Sequence, residues 1–181
     1  MKRSEKLRGN SSIEWNRAEN GKDERSLNCE MKGTWQIREM MPEDLEEVFA
    51  IENSDPLAPW SKRMFLEEMQ HPLASCFVIL RRHGSNQPVV GFICFRNIAA
   101  ESELLKICVH SDYRQLGVGK KLMQFYVEFS HRRGIKRFHL EVHSSNHAAI
   151  HLYQSFSYEA SGLRKRFYQG KFDALLMTKK I

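Results

Sequence analysis

The chain has 181 residues, which suits one domain large enough to bury its own hydrophobic core. Charged residues make up 28% and apolar residues 41% of it, and the net charge is +6. A charge this modest gives no argument for direct nucleic-acid binding, and no run approaches the roughly 20 apolar residues of a membrane span.

The four cysteines are spaced without a metal or disulfide pattern. Cys29, Cys76, Cys94 and Cys108 form no C-x-x-C pair and no His/Cys zinc spacing, so no metal is predicted. Three of them lie in apolar runs, where a free thiol packs as a small hydrophobe in a reducing compartment. Because the N-terminus also lacks the apolar stretch of a signal peptide, a cytoplasmic protein is expected.

Residues 1–33 differ in composition from the remainder. They are polar and charged, and Ile13, Trp15 and Leu27 are their only substantial apolar side chains. So few apolar groups do not offset the entropy of ordering such a segment. The sequence predicts a disordered extension over 1–33 and one domain over 34–181.

From residue 34 onward, strand-like and helix-like patterns alternate. Strands are predicted over 34–38, 75–81, 89–95, 104–109 and 137–142, followed by a hairpin with its turn near Gly170 and its last strand over 172–179. Helices are predicted from Pro42, from Ser61 to about Gln70, over 120–133 and over about 146–155. The order β-α-α-β-β-β-α-β-α-β-β predicts a mixed α/β sheet protein.

A glycine-rich turn joins the apolar run 104–109 to the central helix. Its residues are Arg114, Gln115, Leu116, Gly117, Val118 and Gly119. Small residues at a helix start let backbone N–H groups approach a phosphate, which the helix dipole also favours. The pattern R-x-x-G-x-G is neither the dinucleotide fingerprint nor the Walker loop, so a phosphate cradle and a plain turn both remain open.

A possible acid–base pair follows on the next strand and helix. Phe138, Leu140 and Val142 alternate with His139, Glu141 and His143, so one strand face is apolar and the other is titratable. Tyr153 lies on the inner stripe of the following helix, where it and Glu141 could face one cleft. A solvated Glu141 and a Tyr153 in the core are the alternatives.

Several motifs resemble one enzyme superfamily. The segments Ile107-Cys108-Val109, 113–119, 140–142, Ser145-Asn146, 149–150 and 152–153 occur in the order seen in the GCN5-related N-acetyltransferases. Within that superfamily the chain is most similar to the Rim-type ribosomal-protein-alanine N-acetyltransferases. The segments Pro59-Trp60-Ser61 and 164–168 also resemble that group. The resemblance covers 34–181 and implies a mixed, mostly antiparallel central sheet flanked by helices.

The resemblance also implies a donor, a chemistry and a site. Acetyl-CoA would bind with its pyrophosphate on Arg114, Gln115, Leu116, Gly117, Val118 and Gly119, and its pantetheine arm along Ile107, Cys108 and Val109. Asn146 would contact it, although a helix N-cap explains this residue equally well. Glu141 would be the general base and Tyr153 the general acid. Trp60, Phe167 and Tyr168 would bind the acceptor, although a tryptophan in a loop is as often a simple structural anchor.

The acceptor implied is a protein N-terminus, foremost the N-terminal alanine of a ribosomal protein. An α-amine has a pKa of about 7.7–8.0, against about 10.4 for the lysine side chain, so a carboxylate base removes its proton more easily. A small amine or antibiotic, or a non-catalytic acyl-CoA-binding module, are the alternatives. His143, Ser157-Tyr158 and Gln169 depart from the family pattern around the acceptor, and Arg164-Lys165-Arg166 is expected to be a solvated turn.

Overall fold

The structure is a computed structural model that describes residues 34–53, 59–82 and 87–181, together with the backbone of Ile13–Glu14. The predicted disordered extension over 1–33 otherwise lies outside the described residues, and so does most of the turn after 82. Ile13–Glu14 pairs antiparallel with the strand that begins at Thr34.

Eight strands and four helices form the described part of the chain. The strands are β1 (Ile13–Glu14), β2 (Thr34–Glu39), β3 (Ala74–Arg82), β4 (Val89–Ile98), β5 (Glu101–Val109), β6 (Arg137–His143), β7 (Glu159–Tyr168) and β8 (Phe172–Lys180). The helices are α1 (Leu45–Glu52), α2 (Lys62–Gln70), α3 (Val118–His131) and α4 (His147–Gln154). Within the described ranges, no helix is both long and apolar enough to cross a membrane.

All eight strands form one sheet in the order β1-β2-β3-β4-β5-β6-β8-β7. Every neighbouring pair is antiparallel except β5 and β6, which run parallel. That parallel ladder pairs Glu101 with Arg137 at one end and Leu104 with Leu140 at the other. Beyond these two leucines the strands are no longer paired, so a gap opens in the middle of the sheet.

A bulge in β5 lies where the gap begins. Cys94 on β4 pairs with Lys106 and the next residue, Phe95, pairs with Leu104, so Leu105 is the extra residue. A bulge bends the strand that carries it and increases its local twist. Beyond this point β5 follows β4 and separates from β6.

Helices cover both faces of the sheet and divide its side chains into two cores. Phe138, Leu140 and Val142 pack in the core that contains the α3 side chains Leu122 and Tyr126. A second core, on the α1 and α2 side, contains Val48, Phe65, Phe92 and Cys108 among others. Since side chains alternate along a strand, Glu141 and His143 project from β6 toward the α1 and α2 side.

Close packing of β4 against β5 requires a glycine at position 91. A Cβ atom there would lie 2.8 Å from the carbonyl oxygen of Cys108 and 3.2 Å from Cγ2 of Ile79. We expect Gly91→Ala to lower the free energy of unfolding by about 1–3 kcal/mol, because backbone must move to relieve the overlap. Chemical denaturation measures the change.

Gly162→Ala is the matched control. Its Cβ would meet the end of the Leu176 side chain at 3.0 Å, which rotation of that side chain relieves. We expect its cost to stay below about 1 kcal/mol, in the range of most tolerated core swaps. Equal losses in the two variants would contradict the role assigned to Gly91.

Candidate active site

A cleft of about 350 Å³ lies where β5 and β6 separate. It brings together the two predicted acid–base residues and all three predicted acceptor-binding residues. Its walls come from β5, β6, α4, the segment before α2 and the end of β7. The lining residues are Trp60, Glu103, Leu104, Leu105, Lys106, Ile107, Glu141, Val142, His143, Asn146, Tyr153, Phe167 and Tyr168.

Glu141 enters the cleft from β6 with a carboxylate that is already ion-paired. Its side chain is 25% exposed, and Nη1 of Arg164 donates a hydrogen bond to Oε1. Arg164 belongs to β7, so the prediction of a turn at 164–166 was wrong, whereas the predicted exposure of these three residues is confirmed. The terminal hairpin is longer than predicted, because β7 continues to Tyr168. Arg164 therefore lies on β7, from which its side chain reaches across β8 to Glu141 on β6.

Tyr153 reaches the cleft from α4 on the other side of the gap. It is 6% exposed, and its ring centroid lies 6.0 Å from that of Tyr158. Tyr158 is outside the lining of the cleft, and burial raises the pKa of its phenol. Tyr153 is therefore the phenol of this pair that a bound reactant can contact.

The free edge of β5 forms the floor of the gap. Ile107 lines it, and main-chain groups past Leu104 on this edge are no longer paired with β6. Cys108 faces away from the gap, since it is 7% exposed and its Sγ lies 3.7 Å from the carbonyl oxygen of Ile51. The Cys108 thiol therefore packs in the hydrophobic core, which is the role that the sequence indicates for it.

The glycine-rich turn leads from this edge into α3. Gln115 and Gly117 have positive φ angles of 60° and 79°, and Gly117 is the N-cap residue of α3. Left-handed residues in such a turn direct successive N–H groups to one side, and the first N–H groups of a helix have no intrahelical acceptor. Arg114 is held against the strand, because its Nε donates to the carbonyl oxygen of Val109 at 3.1 Å.

The first turn of α3 packs closely on α4. A Cβ atom at Gly119 would lie 3.3 Å from Cδ2 of Leu152. Asn146 caps α4, with its side-chain oxygen accepting the Ala149 N–H at 3.1 Å, and it also lines the cleft. The capping role left open by the sequence is therefore present. The start of α3 thus lies beside the free edge of β5, and the first N–H groups of a helix favour an anion.

Trp60 forms one wall of the cleft and is held in place by residues outside the cleft. The backbone N–H of Trp60 donates to Oε1 of Glu52 at 2.8 Å, and the indole ring packs on Phe65 with centroids 5.1 Å apart. The same carboxylate oxygen lies 2.7 Å from Nζ of Lys106, in a pair whose Glu52 side chain is fully buried. Removing one member of a buried ion pair is strongly destabilising, because the other charge is then buried without a partner. The Glu52–Lys106 pair therefore connects the Trp60 wall of the cleft to β5.

The opposite wall consists of aromatic side chains from the β7–β8 hairpin. Phe167 is 44% exposed, and Arg164 lies over its ring at 4.5 Å. The ring of Tyr168 stacks on His143 with centroids 5.3 Å apart, and Phe172 packs on the same imidazole at 4.9 Å. His143 is 6% exposed, and its Nδ1 accepts the Ser145 N–H at 3.2 Å. The imidazole therefore supports the hairpin from beneath.

Sequence reasoning missed the charged side chains on β5. The predicted strand began at 104, one residue after Glu103, and Lys106 was read only as part of an apolar run. The sequence does contain a signal for these two residues, because Glu103 and Lys106 are charged positions within an otherwise apolar strand, on either side of the bulge. Among the residues that the structure describes, no group of three or more His, Cys, Asp or Glu side chains could hold a metal ion.

Comparisons with known proteins identify the type of domain. The model of the acetyltransferase (GNAT) family matches residues 45–158. The ribosomal protein bS18-alanine N-acetyltransferase of Escherichia coli is 28% identical over 138 residues, which cover 75% of this chain and 90% of that protein.

Solved structures agree in fold. The crystal structure of the ribosomal-protein-S18-alanine N-acetyltransferase from Escherichia coli superposes with a TM-score of 0.72 at 27% identity, over 81% of this chain and 94% of that one. Arabidopsis thaliana NAA60 in complex with acetyl-CoA has the same fold, with a TM-score of 0.72 at 21% identity over 82% and 99% of the two chains.

Proposed function

The chain belongs to the acetyltransferase (GNAT) family and is an N-acetyltransferase, and on that premise we propose that its acceptor is the α-amine of a protein N-terminus. The observation that carries this proposal is the meeting of Glu141 and Tyr153 in the one cleft where β5 and β6 separate. A carboxylate and a phenol on opposite sides of a gap are the base and the acid that amine acylation needs.

Acetyl-CoA, the donor in this proposal, supplies the acetyl group as a thioester. The N–H groups at the start of α3 hold its pyrophosphate, from Arg114 through Gly119. The free edge of β5 at Ile107, Cys108 and Val109 orients the pantetheine arm, and a main-chain N–H there polarises the thioester carbonyl. Asn146 borders the same channel while it caps α4.

Proton transfers are assigned to two side chains of the chain itself. Glu141 accepts a proton from the acceptor's ammonium group through a water molecule, which frees the nitrogen lone pair. The nitrogen forms a bond to the acetyl carbon, and the carbon–sulfur bond breaks. Tyr153 donates its phenolic proton to the leaving thiolate, whose parent thiol has a pKa of about 8.5. The nitrogen of the new amide bond then loses its second proton to the Tyr153 phenolate, and Glu141 releases the first proton to water, so both side chains return to their starting forms.

The shape of the acceptor side favours a peptide over a small amine. The cleft opens between Trp60 on one wall and Phe167 and Tyr168 on the other, so an extended chain can leave it between aromatic side chains. Two proteins that this chain resembles, both from Escherichia coli, are named as alanine N-acetyltransferases of ribosomal protein S18. A ribosomal protein N-terminus that begins with alanine is therefore the acceptor we propose, with the reaction in the cytoplasm.

CoA release from acetyl-CoA in the presence of short peptides tests this function. Peptides that begin with Ala, Ser or Met are compared with the same peptides carrying a blocked α-amine. We expect turnover with the free Ala peptide and none with its blocked form. Turnover of small polyamines without turnover of any peptide would contradict the proposal, as would binding of acetyl-CoA without turnover of any amine.

The ion pair between Glu141 and Arg164 makes a separate prediction. Because the guanidinium orients the carboxylate that takes the proton, we expect Arg164→Met to lower kcat/KM for the peptide about tenfold, the value of one charge-assisted hydrogen bond. The KM for acetyl-CoA should not change. Steady-state kinetics with each substrate varied in turn measure both values.

Arg166→Met is the control for that prediction. Arg166 lies two residues along the same strand and is exposed, and it lies outside the lining of the cleft. It removes the same charge from β7 without touching Glu141. An equal loss in both variants would show that net charge, rather than the Arg164 contact, is responsible.

A further inference from the structure

The acceptor side of the cleft carries more charge than the proposed acid–base chemistry uses. Glu103 and Lys106 line it from β5, and Glu141 lines it from β6 with Arg164 attached. These groups surround the place where an amine must enter. Their pairing decides whether the cleft presents a positive or a negative charge to that amine.

Three of these four charges are neutralised locally by ion pairs. Lys106 is ion-paired with the buried carboxylate of Glu52 at 2.7 Å. Glu141 is ion-paired with Arg164. An approaching ammonium group therefore meets little net charge from these two pairs.

Glu103 is different, because its carboxylate makes no ion pair or hydrogen bond with another side chain in the described ranges. The cation opposite it on β4 is Arg96, which is attracted to Glu103 at a distance but whose Nε and Nη2 both donate to Glu68. Glu103 is also exposed and lines the cleft, so an amine from solution can reach its carboxylate. It is the carboxylate that gives the acceptor side its negative charge.

The sheet register places Glu103 near Glu141. Glu103 pairs with His139 across the parallel ladder, and Glu141 is two residues farther along β6. A strand spacing of about 4.8 Å and a rise of about 3.3 Å per residue separate the two Cα atoms by about 8 Å. Leu104 and Leu140 both point into the α3 core, so the two glutamates share the opposite face. Both side chains can reach one ammonium group between them.

We propose that Glu103 binds the acceptor's amine in its ammonium form and sets the preference for cationic amines. This inference rests on the proposed function. An α-amine with a pKa of about 7.7–8.0 arrives largely protonated near neutral pH, so it needs a negative site to bind before it loses its proton. Glu103 supplies that site, and Glu141 takes the proton.

Steady-state kinetics with the Ala peptide test the proposal. We expect Glu103→Gln to raise the peptide KM about tenfold, equivalent to about 1.4 kcal/mol, with kcat within about twofold and the acetyl-CoA KM unchanged. Glu103→Asp keeps the charge and should recover most of the loss. Glu101→Gln is the matched control, since Glu101 shares the strand and face but is paired with Arg137 outside the cleft. It should behave as the wild type.

Salt provides a readout that a merely structural role would not change. Raising the ionic strength from about 10 mM to about 150 mM shortens the Debye length from about 30 Å to about 8 Å. The peptide KM of the wild type should rise over this range, and that of Glu103→Gln should stay nearly constant.

The two hypotheses fail in different ways. A wild type that acetylates the peptide while Glu103→Gln keeps the same peptide KM would overturn the assignment of Glu103 alone. An equal rise in the peptide and acetyl-CoA KM values would also overturn it, because a general structural defect would then explain the result. A wild type that turns over no amine would refute the proposed function and this inference together.

Discussion

Glu141→Gln should lower kcat for the Ala peptide by about 10²- to 10³-fold at neutral pH, since a positioned general base contributes about 10²- to 10⁴-fold. The amide keeps the size of the side chain and can still accept a hydrogen bond from Arg164, but it cannot take a proton. Binding of acetyl-CoA should not change, because Glu141 lies on the acceptor side of the gap. Single-turnover acetylation measures the loss at the chemical step.

The pH dependence of this variant distinguishes a base from a binding group. As pH rises through about 8, the α-amine deprotonates without help, so the difference between wild type and Glu141→Gln should shrink. Glu159→Gln, an exposed position on β7, is the control and should show wild-type rates. A loss of activity that is constant from neutral to alkaline pH would rule out proton acceptance by Glu141.

Tyr153→Phe should lower kcat about 10²-fold, because the leaving thiolate then takes its proton from water instead of from a positioned phenol. The ring remains, so its packing beside Tyr158 and the fold are kept. The acetyl-CoA and peptide KM values should change little. Steady-state kinetics and thermal unfolding together separate lost chemistry from lost structure.

Tyr158→Phe is the matched control for Tyr153→Phe. It removes the same hydroxyl from a ring 6.0 Å away that lies outside the cleft lining. We expect its kcat to remain within about twofold of the wild type, since residues outside the reacting geometry do not contribute an acid. Similar losses in both variants would show that Tyr153 acts through packing.

Much of the fold could be predicted from the sequence because its signals are local. The apolar stripe of α3 and the alternation in β6 each follow from one periodicity. Ser61 accepts the Met64 N–H at the start of α2, and Gly134 has a φ of 84° just after α3, as their residue types predict. Enzyme class and fold family followed from the resemblance and are confirmed by the family match.

The parts of the site that could not be predicted depend on long-range pairing. Arg164 contacts Glu141 because β8 pairs with both β6 and β7, and no local pattern records that register. The buried pair of Glu52 and Lys106 joins α1 to β5, although the two residues are 54 positions apart in the sequence. Glu103 lies in the cleft because the parallel ladder pairs it with His139, two residues before Glu141, and this long-range register has no local sequence signal.

The position of the acetyl group in the product tests the central proposal most directly. One peptide that begins with Ala and carries an internal lysine is incubated with the enzyme and acetyl-CoA, and fragmentation mass spectrometry locates the acetyl group. We expect acetylation at the α-amine, with the lysine unmodified. Acetyl on the lysine with a free α-amine, or an unmodified peptide, would contradict it.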